Sequence, residues 1–225
     1  MNDTDDVEAN ISGSIRTAIL QGRLPPGVKL TEDLVAEALD VSRARVRSVL
    51  HRLAVDGLVE IKRNRGAFVA TPSPADTKAV FDARRVVERA TTEIVTRTIM
   101  TSQVTMLKRN LSLWEREWMH GQRQKTIAGI GSFHMALASM AHNRPLAMAL
   151  ERLVLQTSLI LALYATNTTF SSAAVEYNAL LALIDDGQSL AAAKAMDRCL
   201  HVIEHELDMR PVAIRDVNLL SVFRP

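Results

Sequence analysis

One run, from Arg23 to Thr71, limits what this chain can fold into more than any other segment: RLPPGVKLTEDLVAEALDVSRARVRSVLHRLAVDGLVEIKRNRGAFVAT. Leu34, Val35, Ala38 and Leu39 fall on one helical face, and Val46, Val49, Leu50 and Leu53 recur at i, i+3, i+4 and i+7 on a second. Two short amphipathic helices are predicted. Asp40-Val41-Ser42 leaves room between them for a tight turn only, with Val41 plugging the angle and Ser42 placed to cap the second helix. Asp56-Gly57 supplies a turn that tolerates positive φ, and the β-prone runs 58–61 and 67–70 flank Lys62-Arg63-Asn64-Arg65-Gly66. The expected product is a winged helix-turn-helix with a two-stranded wing.

Charge is unevenly placed along this part of the chain. Residues 41–70 hold seven Lys or Arg against two acids, whereas residues 1–40 hold three bases against eight acids. The whole-chain charge of +2 conceals this. A basic stripe confined to the second helix and the wing tip is the electrostatic footprint of a double-stranded DNA partner. Arg43 and Arg47, one turn apart, are placed for guanine edges in the major groove or for phosphate oxygens. Ser42, Arg45 and Arg52 extend the set along the helix, and Arg63, Arg65 and Gly66 bring the wing to the backbone or minor groove.

Several positions carry a resemblance to a known family. Ile15-Arg16, Ala18-Ile19-Leu20, Gly22, Leu24, Pro26-Gly27, Leu30 and Glu32 open the pattern. Val41-Ser42-Arg43, Val46-Arg47, Leu50, Leu53, Gly57-Leu58-Val59, Arg65-Gly66 and Val69 complete it. Over about residues 7 to 72 the chain resembles the GntR family of bacterial transcription regulators. The resemblance implies that Arg43 and Arg47 read DNA. Departures stand at Arg45, where the family often has Pro, at Ser48, often Glu, and at Asp40, often Gly. A further basic position of the family is occupied by Asp33.

At 225 residues the chain has room for this domain and for a second with a sizeable core. The expected division is a DNA-binding domain over 7–72, a linker over 73–76 around Pro72 and Pro74, an all-α domain over 77–208 and a tail over 209–225. The second domain shows breaks near Thr101, Gly121, Asn143-Arg144-Pro145, residues 167–172 and Asp186-Gly187. About six helices follow, near 75–99, 102–120, 123–142, 145–166, 171–185 and 188–208. The fold class is thus mainly α, a winged helix-turn-helix plus a helical bundle. The acidic N-terminus lacks an apolar leader region, and the one cysteine, Cys199, has no intrachain disulfide partner, so a cytoplasmic protein is expected. The apolar stretch 153–165 falls short of the ~20 residues that span a bilayer, and no membrane partner is expected.

The second part resembles the FCD effector domain of the FadR-like branch of that family, through Arg84 and Glu88, Phe133-His134, Asn143, and Glu176 with Ala179-Leu180-Leu181 and Asp186. Many such domains hold a divalent metal with one Asp and three His. Carried over, those positions fall on Ile130, His134, Tyr177 and Cys199, so one donor type is retained and no cofactor is expected. Arg84, Arg85, His134, Tyr177 and Cys199 remain as the candidate effector-binding set for a carboxylate or acyl compound, with an intrahelical Arg84–Glu88 pair as the alternative role of Arg84.

His201-Val202-Ile203-Glu204-His205 fits the H-x-x-E-H pattern of some zinc peptidases, but no second acidic ligand accompanies it, and a solvated helix face is the simpler reading. No G-x-S-x-G, C-x-x-C or phosphate-cradling Gly-rich loop is present. A homodimeric, effector-responsive regulator, a repressor on a palindromic operator and not an enzyme, is therefore expected. An architectural DNA binder without an effector is the alternative.

Overall fold

The computed structural model describes residues 3–210 and 217–223, with side chains from residue 6. It divides into two compact units: the chain up to Thr71 together with a short C-terminal helix, and Pro72–Arg210.

The first unit begins with α1 (Asp3–Leu20), whose Ile11, Ile15, Ala18 and Ile19 form one buried stripe. Gly22 at φ 70° ends the approach to a loop, and β1 (Lys29–Leu30) follows. α2 (Glu32–Leu39) buries Val35, Ala36 and Ala38. Leu34, expected on that face, is exposed, because the inward stripe of this two-turn helix runs through Ala36 instead. Asp40 takes the left-handed conformation at φ 52° and closes α2, with the Val41 amide donating to the Ala36 carbonyl across 3.0 Å. α3 (Arg43–Val55) starts at Ser42, whose hydroxyl accepts from the Arg45 amide at 3.4 Å, and buries Val46, Val49, Leu50 and Leu53.

The wing is β2 (Val59–Lys62) against β3 (Gly66–Val69), with Glu60 opposite Phe68. The sheet has three strands, in the order β1-β3-β2, rather than the expected two. β1 adds Lys29 opposite Phe68 and Leu30 opposite Ala67, a pairing too short to leave an alternating pattern in sequence.

Six helices form the second unit: α4 (Pro74–Thr96), α5 (Thr101–Met119), α6 (Arg123–Met140), α7 (Arg144–Tyr164), α8 (Asn167–Asp185) and α9 (Ser189–His205). The linker expected at 73–76 is instead the cap and first turn of α4. Ser73 and Asp76 form a reciprocal capping box, and Pro74 sits in the first turn, where its missing N–H costs nothing. α8 starts at Asn167, four residues before the expected start at 171, because Thr166 and Thr169 cap it and Thr169 also donates to the Glu206 carbonyl at 2.8 Å. The interior is aromatic, with Phe81, Trp114, Phe133, Phe170 and Tyr177 all buried. A side chain on Gly129 would place its Cβ 2.5 Å from the Cβ of Trp114, so α5 and α6 meet there only through a glycine.

α7 is longer than the apolar stretch read from sequence. Its 21 residues are long and apolar enough to cross a membrane, with mean hydropathy 1.6, yet Leu159, Ile160 and Leu161 pack into the bundle core. Only 39% of its most apolar window is buried within one chain.

Of the tail expected over 209–225, residues 211–216 and 224–225 lie outside the described residues. α10 (Leu219–Phe223) buries Leu219 and Val222, packs on α2 and α1, and accepts at the Val222 carbonyl a hydrogen bond from Arg23 Nη1. The sequence-distant end of the chain is therefore part of the winged-helix unit.

Candidate nucleic-acid interface and bundle interior

α3 is amphipathic, so burying Val46, Val49, Leu50 and Leu53 sends Arg43 and Arg47 outward together. Their side chains are 69% and 64% exposed, enough to reach a groove. Arg45 stands two residues from each, about 200° around the helix, and is half-buried on the flank. Arg52, read as a DNA contact, pairs with Glu8 of α1 at 2.5 Å and so ties two helices of its own unit.

The first turn of α2 lies beside these arginines. Arg43 Nε is 2.7 Å from Asp33 Oδ1, and Arg47 donates through Nε and Nη2 to the Glu32 carboxylate at 2.7–3.1 Å. The Arg47 hydrogen bond is the main cause that holds the Glu32 carboxyl below its ordinary range. At the wing, Asn64 adopts φ 57° and Gly66 φ 96°, which folds the turn tightly. Lys62 and Arg65 stack over the Phe68 ring at 5.1 and 5.8 Å, while Arg63, Asn64 and Gly66 are exposed at the tip.

Inside the bundle, four side chains from three helices form one hydrogen-bonded chain. Arg84 Nε donates to Glu88 Oε1 at 2.6 Å, Glu88 Oε2 meets His134 Nδ1, and His134 Nε2 lies 2.5 Å from the Tyr177 hydroxyl. Each residue is at most 1% exposed. Burial alone raises the Glu88 pKa, but the Arg84 guanidinium and His134 outweigh it and bring the carboxyl to about 2. His134 is held below its ordinary value by burial, against the pull of Glu88. Its ring is therefore neutral near pH 7, with Nδ1–H donating to Glu88 and Nε2 accepting from Tyr177. Burial pushes the Tyr177 hydroxyl and the Cys199 thiol well up, so both keep their protons.

The expected set is thus only partly assembled. Arg84, His134 and Tyr177 are joined, and Cys199 is buried on α9. Arg85 is not with them: one residue further around α4, it pairs with Asp82 and with Glu204 of α9. Sequence reading gave Glu88 only a partner's role, though it is the centre of the chain; an acid one turn after a core-facing arginine was the available signal. Among the described residues of the bundle, four buried donors or hydroxyls lack a partner: Arg84 Nη2, Thr77 Oγ1, Thr92 Oγ1 and Trp114 Nε1, the first three along the inner stripe of α4.

The positions that would hold a divalent ion do not suit one. Ile130 is an apolar core residue with no donor atom, and both nitrogens of His134 are engaged, by Glu88 and by Tyr177. On α9, His201 and His205 are exposed with ring centroids 6.2 Å apart, and Glu204 between them is committed to Arg85. Among the described residues no three His, Cys, Asp or Glu side chains converge as a metal-holding group.

Comparison with known proteins bears on both halves of the chain. The sequence pattern of bacterial regulatory proteins of the gntR family matches residues 8–69, and that of the FCD domain matches residues 79–202. The Uxu operon transcriptional regulator of Escherichia coli K12 is 30% identical over 148 residues, covering 59% of this chain and 58% of the relative. The transcriptional repressor RspR of the same strain is 32% identical over 111 residues, or 49% of each chain. The chain thus spans about half to three fifths of the length of these two relatives. A GntR transcriptional regulator structure from Rhodococcus sp. RHA1 matches with TM-score 0.77 at 26% identity over 88% of this chain and 95% of that one. Escherichia coli McbR/YncC shares the fold at TM-score 0.72 and 18% identity, over 91% and 94% of the two chains. With a gntR-type winged helix followed by an FCD bundle, the chain belongs to the GntR family of bacterial transcriptional regulators, in the branch that carries an FCD domain.

Proposed function

We propose that the protein is a cytoplasmic, homodimeric repressor that reads a palindromic operator and is released from it by a small carboxylate or acyl effector. The observation that carries the DNA half is the shared exposed face of Arg43 and Arg47 on α3, in the same unit as an exposed basic wing tip. Arg43 and Arg47 read bases, while Arg45, Arg63 and Arg65 serve phosphates, with Ser42 and Gly66 allowing close backbone approach. A two-fold dimer sets two such helices about 34 Å apart, one turn of DNA. The half-buried apolar α7, with Met148 exposed on it, supports a second copy as the cover of this helix. The sign of control follows the repressor RspR among the relatives.

The effector half rests on the unpartnered Arg84 Nη2. A buried guanidinium N–H without an acceptor is costly, and a ligand carboxylate satisfies it. In this reading no metal takes part, and the ligand carboxylate is met by the unpartnered Nη2 of Arg84. Effector binding shifts the dimer between two arrangements, and only by its differential affinity for them. In this reading the bundle serves ligand binding and not catalysis.

A thermal-shift screen of the full-length protein against mono- and dicarboxylates and acyl compounds tests this reading. The expected result is a raised melting point that persists in chelator and is accompanied by release of operator DNA. A hit whose effect is abolished by chelator, or one equivalent of bound transition metal per purified chain, contradicts it.

A further inference from the structure

The pairing of the two recognition arginines with α2 has an orientation that matters. Glu32 accepts hydrogen bonds on the side of the Arg47 guanidinium formed by Nε and Nη2, at 2.7–3.1 Å, and Asp33 Oδ1 forms an ion pair 2.7 Å from Nε of Arg43. A guanidinium carries five N–H donors in a planar fork. With the Nε side engaged, the Nη end of each arginine still presents two parallel donors, the arrangement that matches O6 and N7 of guanine.

These acids come from a different helix, 15 residues earlier in sequence for the Glu32–Arg47 pair, so the helix-turn-helix packing brings them there. All four side chains reach solvent, and an ion pair this exposed adds little to folding. Its effect falls on DNA. Sequence-independent binding comes from cations neutralising phosphates. An arginine already neutralised at its Nε side, with a carboxylate beside it, is a poor phosphate ligand, while its base-reading end is unimpaired.

We propose that Glu32 and Asp33 are specificity-determining residues, which hold Arg47 and Arg43 side-on for end-on reading of bases and withhold them from phosphate. This rests on the placing of Arg43 and Arg47 at DNA. The hydrogen bond from Arg47 holds the Glu32 carboxyl below its ordinary range. The basic residue expected at the Asp33 position by resemblance is thus replaced by a group that acts on Arg43.

Duplexes selected from a random library by the full-length wild-type protein serve as the specific probe, and a scrambled duplex of equal length as the non-specific one. Affinities for both are measured by fluorescence anisotropy across a salt series for Glu32→Ala, Asp33→Ala, the double variant and Asp33→Glu. In the double variant, binding to the scrambled duplex should tighten, with a salt slope steeper by about 0.9 for each arginine freed. The ratio of specific to non-specific affinity should fall about tenfold or more, which is a loss within the range set by one good base contact. Asp33→Glu should keep much of the ratio that Asp33→Ala loses. If an alanine variant melts several degrees lower, Glu32→Gln and Asp33→Asn replace it.

Equal gains on both duplexes would reduce the acids to a general electrostatic barrier, and unchanged affinities would reduce them to charges at a helix end; either overturns the proposal. The parent reading fails separately: Arg43→Ala and Arg47→Ala would then leave both duplexes bound as before.

Discussion

The Tyr177 hydroxyl donates to Nε2 of His134 across 2.5 Å, in an interior where neither residue is more than 1% exposed. Because Nδ1 of the same ring donates to Glu88, and Glu88 accepts from Arg84, the proton order of the whole chain is fixed from one end to the other. The site holds one cation and one anion, and its histidine is neutral.

Tyr177→Phe removes the donor and leaves Nε2 of His134 buried without a partner. The expected cost is about 1–3 kcal/mol of bundle stability. Chemical denaturation checks this, and Glu88→Gln should cost more, about 3–5 kcal/mol, because it strands the Arg84 charge. A Tyr177→Phe variant as stable as the wild type would show that the contact contributes nothing.

Acid should weaken the bundle in two stages. His134 has a folded pKa below its ordinary 6.5, so below that value the unfolded chain takes up a proton that the folded one refuses. Glu88 is depressed from 4.5 to about 2, so its stabilising contribution is complete above 4.5 and is lost as pH falls toward 2. Stability is thus expected to fall with pH from about 6.5 downward, and His134→Gln should flatten the upper part of that fall. Melting curves at successive pH values measure it; a profile identical in wild type and His134→Gln would place the titration elsewhere.

Gly129→Ala forces a Cβ to within 2.5 Å of Trp114 Cβ. Helices α5 and α6 must separate, at a cost of about 1–3 kcal/mol. The Trp114 fluorescence should shift as well, since its ring packs edge-on against Tyr177 at 5.7 Å.

α10 contributes to the winged-helix unit through Leu219 and Val222. Replacing both by Ala should speed amide hydrogen exchange in α2, the helix it covers, and leave α8 unchanged. Exchange unchanged in α2 would mean that the packing of α10 contributes nothing to that helix.

The sequence made most helices readable because proline, glycine and capping residues punctuate strong 3.6-residue periodicity, as at Ser73-Pro74 and Asn143-Arg144-Pro145. β1 and α10 escaped because two and five residues carry no period. The Arg84–Glu88 pair was legible as an i, i+4 spacing, whereas the contact of His134 with Tyr177 joins residues 43 apart and depends on how α6 and α8 pack. Arg85 was placed in the wrong group because adjacent residues on a helix diverge by about 100°. Asp33 was legible as a departure from the family pattern, but its partner was not. Acids at 32 and 33 facing bases at 43 and 47 was the signal available, and it acquires meaning only once α2 and α3 are packed together.

The central claim is that Arg43 and Arg47 read DNA. Its most direct test is the affinity of Arg43→Ala and Arg47→Ala for a duplex selected by the wild-type protein, at one fixed salt concentration. Each substitution is expected to weaken binding roughly ten- to hundredfold and to relax the base preference at its own position. Unchanged affinity and unchanged preference in both variants would contradict the account.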